Sequence, residues 1–115
     1  MFDSPGPLAG IRVVEMGQLI AGPFCGQLLG DLGADVVKVE APGIGDPMRR
    51  WGQTSPDGDS LTWPVIARNK RSLTLDLRRP AGQTVARDLL ATADVLVENF
   101  RPGLSLIHIS EPTRR

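Results

Sequence analysis

Four short runs built around Val, Ile or Leu alternate with helical or irregular segments along the 115 residues. The runs cover residues 11–16, 35–40, 72–77 and 94–98, and each has the length and composition of a β-strand. Strands that alternate with helices, and that are apolar along their length, are typical of a sheet covered on both faces. The pattern therefore predicts an α/β fold with a mostly parallel sheet and covering helices.

Two main helices are expected between these runs. The first is predicted to begin at Pro23 and to end at Gly33, since proline suits a first helical turn and glycine suits the exit. The large apolar side chains expected on its core face are Phe24, Leu28, Leu29 and Leu32. The second is predicted to begin at Pro80, and its expected core face consists of Val85, Ala86, Leu89, Leu90 and Ala93. Glycines and prolines predict a long irregular loop over residues 41–60, and residues 61–67 predict one helical turn.

In open parallel sheets, ligands bind beyond the carboxyl ends of the strands. The segments at those ends are residues 17–22, 41–46, 78–79 and 99–103. Arg78 and Arg79 follow the third run and directly precede a helix start, where an anion is favoured by free N–H groups and by the helix dipole. From spacing alone, a solvated charged turn remains an alternative for this arginine pair.

Known phosphate loops do not fit the glycines after the first run. Gly17 and Gly22 have the spacing of a Walker loop, but Pro23 and Phe24 stand where that loop needs Lys and then Ser or Thr. The dinucleotide fingerprint G-x-G-x-x-G is also incomplete. Glu40, at the end of the second run, occupies the position of a ribose-binding acid. A nucleotide-binding module without chemistry therefore stays open as an alternative.

Composition excludes several classes of function. The 13 basic and 13 acidic residues give a net charge of zero, which argues against a nucleic-acid or membrane-surface partner.

The single cysteine, Cys25, cannot form an internal disulfide, and we expect it to pack as a small buried side chain rather than to act as a nucleophile. No secretion signal is recognisable, so a cytoplasmic location is expected. The only histidine is His108, so no histidine-based catalysis or metal site is predicted for residues 1–103.

The last twelve residues do not continue the α/β pattern. A helix is due after Gly103, yet residues 106–109 are β-like and residues 110–115 are polar and irregular. Residues 104–115 resemble the translated sequence of a transposon-end adapter used to prepare sequencing libraries. We therefore predict that residues 1–103 are the native part and that residues 104–115 are a non-native tail. A genuine edge strand and loop is the alternative.

Taken together, the motifs resemble those of the class III CoA-transferases, the CaiB/BaiF family. The resemblance covers nearly all of residues 8–103, in order and with family-like spacing. The segments that carry it are residues 8–13 (LAGIRV), 21–23 (AGP), 32–40 (LGADVVKVE), 45–49 (GDPMR), 69–72 (NKRS), 75–78 (LDLR) and 93–103 (ADVLVENFRPG).

The resemblance implies a Rossmann-like large domain, here incomplete, and an interlocked homodimer. It implies an enzyme that moves CoA between carboxylic acids, with acyl-CoA as a substrate and no other cofactor. An aspartate forms a mixed anhydride with the donor acyl group and then carries CoA as a thioester. That aspartate lies well beyond Gly103 in the family, so this chain is expected to be an inactive N-terminal fragment without a catalytic residue. Racemases of the same family remain an alternative.

The resemblance also assigns CoA-binding positions. Ile20 and Ala21 fall beside the thioester end of the ligand. The positions that hold the adenosine and phosphate portions are Leu75, Asp76, Leu77 and Arg78, together with Asn99, Phe100 and Arg101. Ala41 stands where relatives place an arginine, which leaves that phosphate contact in question. Ile20 replaces the glutamine of formyl-CoA transferases, which argues against formate or oxalate as the substrate.

Overall fold

The structure is a computed structural model that describes residues 5–100. Four strands form one sheet: β1 (Arg12–Glu15), β2 (Asp35–Glu40), β3 (Lys70–Thr74) and β4 (Val95–Val97). Three α-helices lie between them: α1 (Ala21–Asp31), α2 (Trp63–Ile66) and α3 (Pro80–Ala91). A short 3-10 helix, Pro47–Arg50, lies inside the long loop that follows β2. In this part of the chain, no helix is long and apolar enough to cross a membrane.

The sheet has the strand order β3-β2-β1-β4, and all three pairings are parallel. From β1 the chain moves outward to β2 and β3, and it then crosses back to place β4 on the other side of β1. This reversal between β1 and β4 is the switch point at which doubly wound sheets bind ligands. The predicted α/β class and parallel sheet are confirmed.

Alternate side chains of the central strands point into two separate cores. Val13, Val36 and Ala34 form one cluster, against which Leu29 of α1 packs. Val14, Met16, Val39 and Ala86 form the other, which Leu89 and Leu90 of α3 cover. Both faces of the sheet are therefore apolar, which explains why β1 and β2 read as continuous runs of valine.

Strand β3 lies at a different position from the predicted run of residues 72–77. It begins at Lys70 and ends at Thr74, because its partner β2 ends at Glu40, which is the register partner of Thr74. The N–H of Leu75 still donates to the carbonyl of Glu40, and the pairing stops there. Leu75, Asp76 and Leu77 consequently lie in the loop between β3 and α3 rather than in a strand.

The buried face of α1 was predicted wrongly. The helix begins at Ala21, two residues before Pro23, and its buried residues are Gly22, Pro23, Gly26 and Gln27. A side chain at position 26 would lie 2.8 Å from Oε1 of Glu15, so glycine allows the helix to approach the sheet closely. Only Leu29 of the predicted face packs into a core, whereas Phe24, Leu28 and Leu32 are about half exposed. Cys25 is exposed as well, contrary to the expectation of a buried thiol.

The remaining elements agree better with the predictions. Helix α3 begins at Pro80 as expected, and Ala86, Leu89, Leu90 and Ala93 face the core, although Val85 is exposed. Helix α2 is the single turn predicted within residues 61–67. The long loop contains one isolated antiparallel bridge between Thr54 and Ser60.

Candidate functional site

The loop between β1 and α1 forms one side of the switch point. Leu19 in this loop has a φ of 65°, in the left-handed region that non-glycine residues disfavour. Gly17 and Gly22 approach each other so closely that a Cβ on Gly17 would lie 2.8 Å from the Cα of Gly22. The two glycines of the rejected Walker spacing therefore permit a tight backbone crossing.

Asn99, just after β4, holds this loop rather than pointing away from it. Its Oδ1 accepts a hydrogen bond from the N–H of Gln18 at 2.9 Å, and its Nδ2 donates to the carbonyl of Gln18 at 3.0 Å. Both polar atoms of the amide are thus engaged with one backbone residue. The side chain connects the two loops that flank the switch point between β1 and β4.

A cavity of about 180 Å³ lies beside this loop, at the carboxyl ends of β1 and β2. Five of the residues predicted to bind CoA line it: Leu75, Asp76, Leu77, Arg78 and Phe100. The other lining residues are Met16, Gln18, Val39, Glu40 and Ala41. Its volume is below the usual 300–1,000 Å³ of a small-molecule pocket. A larger cavity of about 510 Å³ adjoins it, and the two share Glu40 and Ala41.

The other predicted site residues lie outside the smaller cavity. Ile20 is the half-exposed residue that precedes α1, and Ala21 is the first residue of that helix. Neither a side-chain cap nor an acidic residue occupies the first turn of α1, but Gly22 and Pro23 in this turn are buried and Pro23 has no N–H, so the turn offers few donors to an anion. Asn99 bonds to Gln18 as described above. Arg101 lies outside the described residues, as do the tail at 104–115 and His108.

Arg78 and Arg79 occupy different places despite being neighbours. Arg78 lines the smaller cavity with an 86% exposed side chain, and its backbone N–H donates to Oδ1 of Asp76 at 3.1 Å. Arg79 is the residue that precedes α3, and its guanidinium lies 3.4 Å from Asp76 Oδ2. The hydrogen bond from the N–H of Arg78, helped by the two guanidinium groups, lowers the pKa of Asp76. Both guanidinium groups lie near one partly buried carboxylate and are themselves largely exposed to solvent.

Glu40 does not fit the role of a ribose-binding acid. Its Oε2 accepts from the N–H of Asp46 at 2.7 Å and from Arg49 Nε at 2.8 Å, while Oε1 accepts from Arg49 and Ser72. These four hydrogen bonds fill the roughly four acceptor sites of a carboxylate. Burial raises the pKa of Glu40, but the Arg49 hydrogen bonds and the Asp46 N–H outweigh it and lower the pKa to about 2. A ribose hydroxyl would have to displace one of these partners.

Arg49 connects this acid to the larger cavity. The guanidinium carbon lies 4.2 Å from the centre of the Trp63 ring, a cation–π distance. Arg49 and Trp63 both line the larger cavity. Arg49 is already paired with Glu40, so we interpret its role at the wall of the larger cavity as structural rather than as the binding of an anion.

A buried network of four charged side chains lies under the loop between β1 and α1. Lys38 Nζ is 2.6 Å from Glu15 Oε2 and 2.8 Å from Asp46 Oδ2, and it donates to the carbonyl of Gly17 at 3.0 Å. Lys70 Nζ is 2.5 Å from Glu15 Oε1 and donates to the carbonyl of Pro23 at 2.7 Å. Burial lowers the pKa of Lys70, an effect that Glu15 partly offsets.

Sequence reasoning missed all four members of this network. The available signal was the charge inside apolar strands: Glu15 closes the VVE run of β1, and Lys38 interrupts the VVKVE run of β2. A charged residue in a strand covered on both faces must find a partner of opposite charge, because an unpaired charge is very costly to bury. Neither in this network nor in the rest of residues 5–100 is a group of three or more His, Cys, Asp or Glu arranged to hold a metal ion.

The parallel sheet, its switch point and the cavity beyond the strand ends define an α/β protein with a binding cleft of the doubly wound type. The chain belongs to CoA-transferase family III, whose family model matches residues 8–111. The resemblance inferred from the sequence is confirmed, and the two curated relatives described below are named as CoA-transferases. The proposed boundary at Gly103 stays a prediction.

Similar proteins include two curated transferases and one solved structure. The succinyl-CoA–D-citramalate CoA-transferase of Chloroflexus aurantiacus is 58% identical over 99 residues, which are 86% of this chain and 25% of that protein. The formyl-CoA:oxalate CoA-transferase of Rhodopseudomonas palustris is 48% identical over 97 residues, 84% of this chain and 23% of that protein. A CAIB/BAIF family protein from Brucella suis matches with a TM-score of 0.83 at 42% identity, over 91% of this chain and 29% of that one. The chain spans about a quarter of the length of these relatives.

Proposed function

We propose that this chain is the N-terminal, CoA-binding part of an enzyme that transfers CoA between carboxylic acids. The observation that carries the proposal is the cavity at the strand ends. In a chain of this family, this cavity is lined by Leu75, Asp76, Leu77 and Phe100 together with the exposed Arg78. The enzyme is proposed to be an interlocked homodimer, as the family resemblance implies, and to lie in the cytoplasm, as expected from its single cysteine.

The ligand is proposed to lie across the switch point. Its adenosine and phosphates lie against the opening of the cavity, which at about 180 Å³ is too small to enclose them, so that the Arg78 guanidinium meets a phosphate and Leu75, Leu77 and Phe100 provide apolar contacts. The family resemblance assigns Asn99 and Arg101 to this end as well, but both polar atoms of the Asn99 amide are bonded to Gln18, so we do not propose it as a direct ligand of CoA. The pantetheine arm then passes the loop between β1 and α1, so that the thioester lies beside Ile20 and Ala21.

The reaction is proposed to use an aspartate that lies outside this chain. Its carboxylate attacks the donor acyl-CoA, which forms a mixed anhydride and releases CoA as a thiolate. The thiolate attacks the aspartyl carbonyl of the anhydride, which gives an aspartyl-CoA thioester and frees the donor acid. The acceptor carboxylate then takes the same two steps in reverse, which regenerates the aspartate. Within this scheme, residues of the present chain bind and orient the thioester and supply no nucleophile.

We propose succinyl-CoA as the donor to test first. The similar proteins from Chloroflexus aurantiacus are named as succinyl-CoA transferases, with 58% and 57% identity for two of them. Ile20 stands where the formyl-CoA transferases carry a glutamine, which argues against formate or oxalate as the acid of the substrate pair. The acceptor is proposed to be a carboxylic acid of similar size.

The experiment is to recover the full-length gene by extending reads outward from the codons for residues 1–103 and to assay its product, called the full-length enzyme below. Transfer of CoA from succinyl-CoA to an added carboxylic acid, measured by chromatography, is the expected result. Proton exchange at the carbon next to the thioester, without CoA transfer, would instead assign the enzyme to the racemases. The isolated 115-residue chain should show no CoA exchange above background.

A chimera tests the CoA-binding part separately from the chemistry. Residues 8–103 would replace the matching segment of the Chloroflexus aurantiacus succinyl-CoA–D-citramalate CoA-transferase, which supplies its own downstream residues. We expect a folded chimera that binds CoA and retains transfer activity. A folded chimera without affinity for CoA would contradict the assignment of this segment as the CoA-binding part.

A further inference from the structure

Four side chains from other segments hold in place the backbone of the loop between β1 and α1 and of the first turn of α1. Lys38 donates to the carbonyl of Gly17, Asn99 pairs with both backbone groups of Gln18, and Lys70 donates to the carbonyl of Pro23. Asp46 accepts the N–H of Leu19 at 2.9 Å. We call these four side chains the loop clamp. They come from β2, β3, the segment after β4 and the long loop, so the clamp depends on the whole sheet.

The loop clamp fixes the least favourable residue of the loop. Leu19 has a φ of 65°, and a left-handed conformation of this kind persists only where the surroundings hold it. The same Oδ1 of Asp46 also accepts the N–H of Met48 at 2.9 Å, which fixes the orientation of the carboxylate. Ile20 and Ala21 follow Leu19 directly, so the path of the backbone at Leu19 sets the direction in which they point.

Three members of the loop clamp cannot move independently. Lys38 and Lys70 both pair with Glu15, and Lys38 also pairs with Asp46, with every side chain at most 3% exposed. Two carboxylates and two ammonium groups balance to zero charge. A shift of the loop would break its hydrogen bonds to Lys38 and Asp46. Those two side chains could follow the loop only by separating buried opposite charges, which is strongly unfavourable in a medium of low dielectric constant. The loop is therefore held more rigidly than hydrogen bonds to water would hold it.

We propose that the loop clamp, through Asp46, Lys70 and Asn99, positions the thioester of acyl-CoA for attack and contributes little to the affinity for CoA. This inference rests on the proposed function, because it assumes that the thioester lies beside Ile20 and Ala21. Arg78 and its neighbours hold the other end of the ligand. A displaced loop therefore leaves CoA bound while the reacting carbonyl is out of place, and a misplacement of about 1 Å can cost on the order of 100-fold in rate.

The test uses Asp46→Ala, Lys70→Met and Asn99→Ala in the full-length enzyme. For each variant we expect kcat to fall between about 10- and 100-fold while KM for acyl-CoA changes by less than about threefold. Hydrogen exchange should accelerate in peptides covering residues 17–23. The control is Val36→Ala, which removes buried apolar volume on β2 without touching the loop and should leave both kcat and the exchange of residues 17–23 near the wild-type values.

Asp46→Asn provides a conservative comparison, because its amide oxygen can still accept the N–H groups of Leu19 and Met48. We expect this variant to recover part of the kcat lost in Asp46→Ala. Asn99→Ala keeps the test decisive if the buried variants fail to fold, since Asn99 is exposed and its loss leaves no buried charge unpaired.

Unchanged kcat in Asn99→Ala, or a raised KM with normal kcat in the variants that fold, would overturn the positioning role. In either case the unsubstituted full-length enzyme would still transfer CoA, so failure of this inference is distinct from failure of the proposed function.

Discussion

Lys38 and Glu15 are register partners on the adjacent parallel strands β2 and β1, and their side chains form an ion pair of 2.6 Å between Nζ and Oε2. The side chains are only 2% and 0% exposed. Lys38 Nζ donates to Glu15 Oε2 and to the carbonyl of Gly17, and it also forms an ion pair with Asp46 Oδ2 at 2.8 Å. A charge pair at the centre of the sheet thus supports the loop that the proposed ligand contacts.

Replacing Lys38 alone should destabilise the fold strongly. Lys38→Met leaves Glu15 and Asp46 with a single buried cation, Lys70, and breaking a buried pair typically costs about 3–5 kcal/mol. The double variant Lys38→Met/Asp46→Asn restores charge balance and should recover part of that loss. Urea unfolding followed by tryptophan fluorescence measures both free energies of unfolding. A double variant no more stable than Lys38→Met would show that the imbalance of buried charge does not cause the loss of stability.

Glu40 should make the stability of the chain depend on pH in the acid range. Its pKa is lowered from 4.5 in the unfolded chain to about 2 in the fold. The stabilisation is therefore complete above about pH 4.5 and is lost as the pH falls toward 2, by roughly 3 kcal/mol at most. Glu40→Gln should be less stable at neutral pH and should lose less stability on acidification. Asp35→Asn, at an exposed ion pair, is the control and should change the acid slope less.

Arg78 should contribute affinity for CoA rather than rate. A charge-assisted hydrogen bond is worth roughly 1.5–3 kcal/mol, so Arg78→Ala in the full-length enzyme should raise KM for acyl-CoA by about 10- to 100-fold. The contact is the same in the ground and transition states, so kcat should stay nearly constant. Steady-state kinetics at saturating acceptor measure both constants.

Arg79→Ala is the matched control for Arg78→Ala, because Arg79 shares Asp76 but does not line the cavity. We expect a smaller rise in KM. An unchanged KM in Arg78→Ala would remove Arg78 from the site, and a collapsed kcat would place it nearer the reacting atoms than proposed.

The exposed face of α1 should make the isolated chain self-associate. Phe24, Leu28 and Leu32 follow one another at four-residue spacing and are each about half exposed, and contiguous apolar surface of this kind promotes association. Leu28→Lys should shift the isolated chain toward monomer in sedimentation velocity. Val85→Lys adds the same charge at an exposed valine of α3 and should have less effect. Equal effects of the two substitutions would point to net charge rather than to this face.

Removal of residues 104–115 should change thermal stability little, because a non-native tail has no packing partner selected for it. The melting temperatures of the full and shortened chains provide the comparison. Long-read sequence of the source DNA should also diverge from this chain within a few codons of Gly103. Independent reads that contain residues 104–115 followed by a stop codon would contradict the prediction of a non-native tail.

The sequence alone was sufficient for the architecture. The run at 35–40 has the bounds of β2, and the start of α3 at Pro80 was predicted correctly. Valine-rich runs separated by helical periods can satisfy their backbone and bury both faces in few ways other than a parallel sheet with covering helices. The strand–helix pattern placed Arg78 beyond the carboxyl end of a strand, and the structure has a cavity there that Arg78 lines. The assignment of this cavity to CoA stays a prediction.

Contacts between distant segments of the chain determined three features that the local sequence pattern did not predict: the end of β3, the buried face of α1 and the buried charges. The end of β2 determines where β3 stops, so Leu75 and Leu77 alternate like a strand but lie in a loop. Glycines determine which face of α1 approaches the sheet, and the large apolar residues that suggested the opposite face remain half exposed. The buried charges of Glu15, Lys38, Asp46 and Lys70 come from separate segments of the chain. From sequence alone, a charged residue is expected to lie in solvent. Its burial is possible only because the fold brings an oppositely charged partner within about 3 Å, and a charge paired in this way can support a loop from inside the sheet.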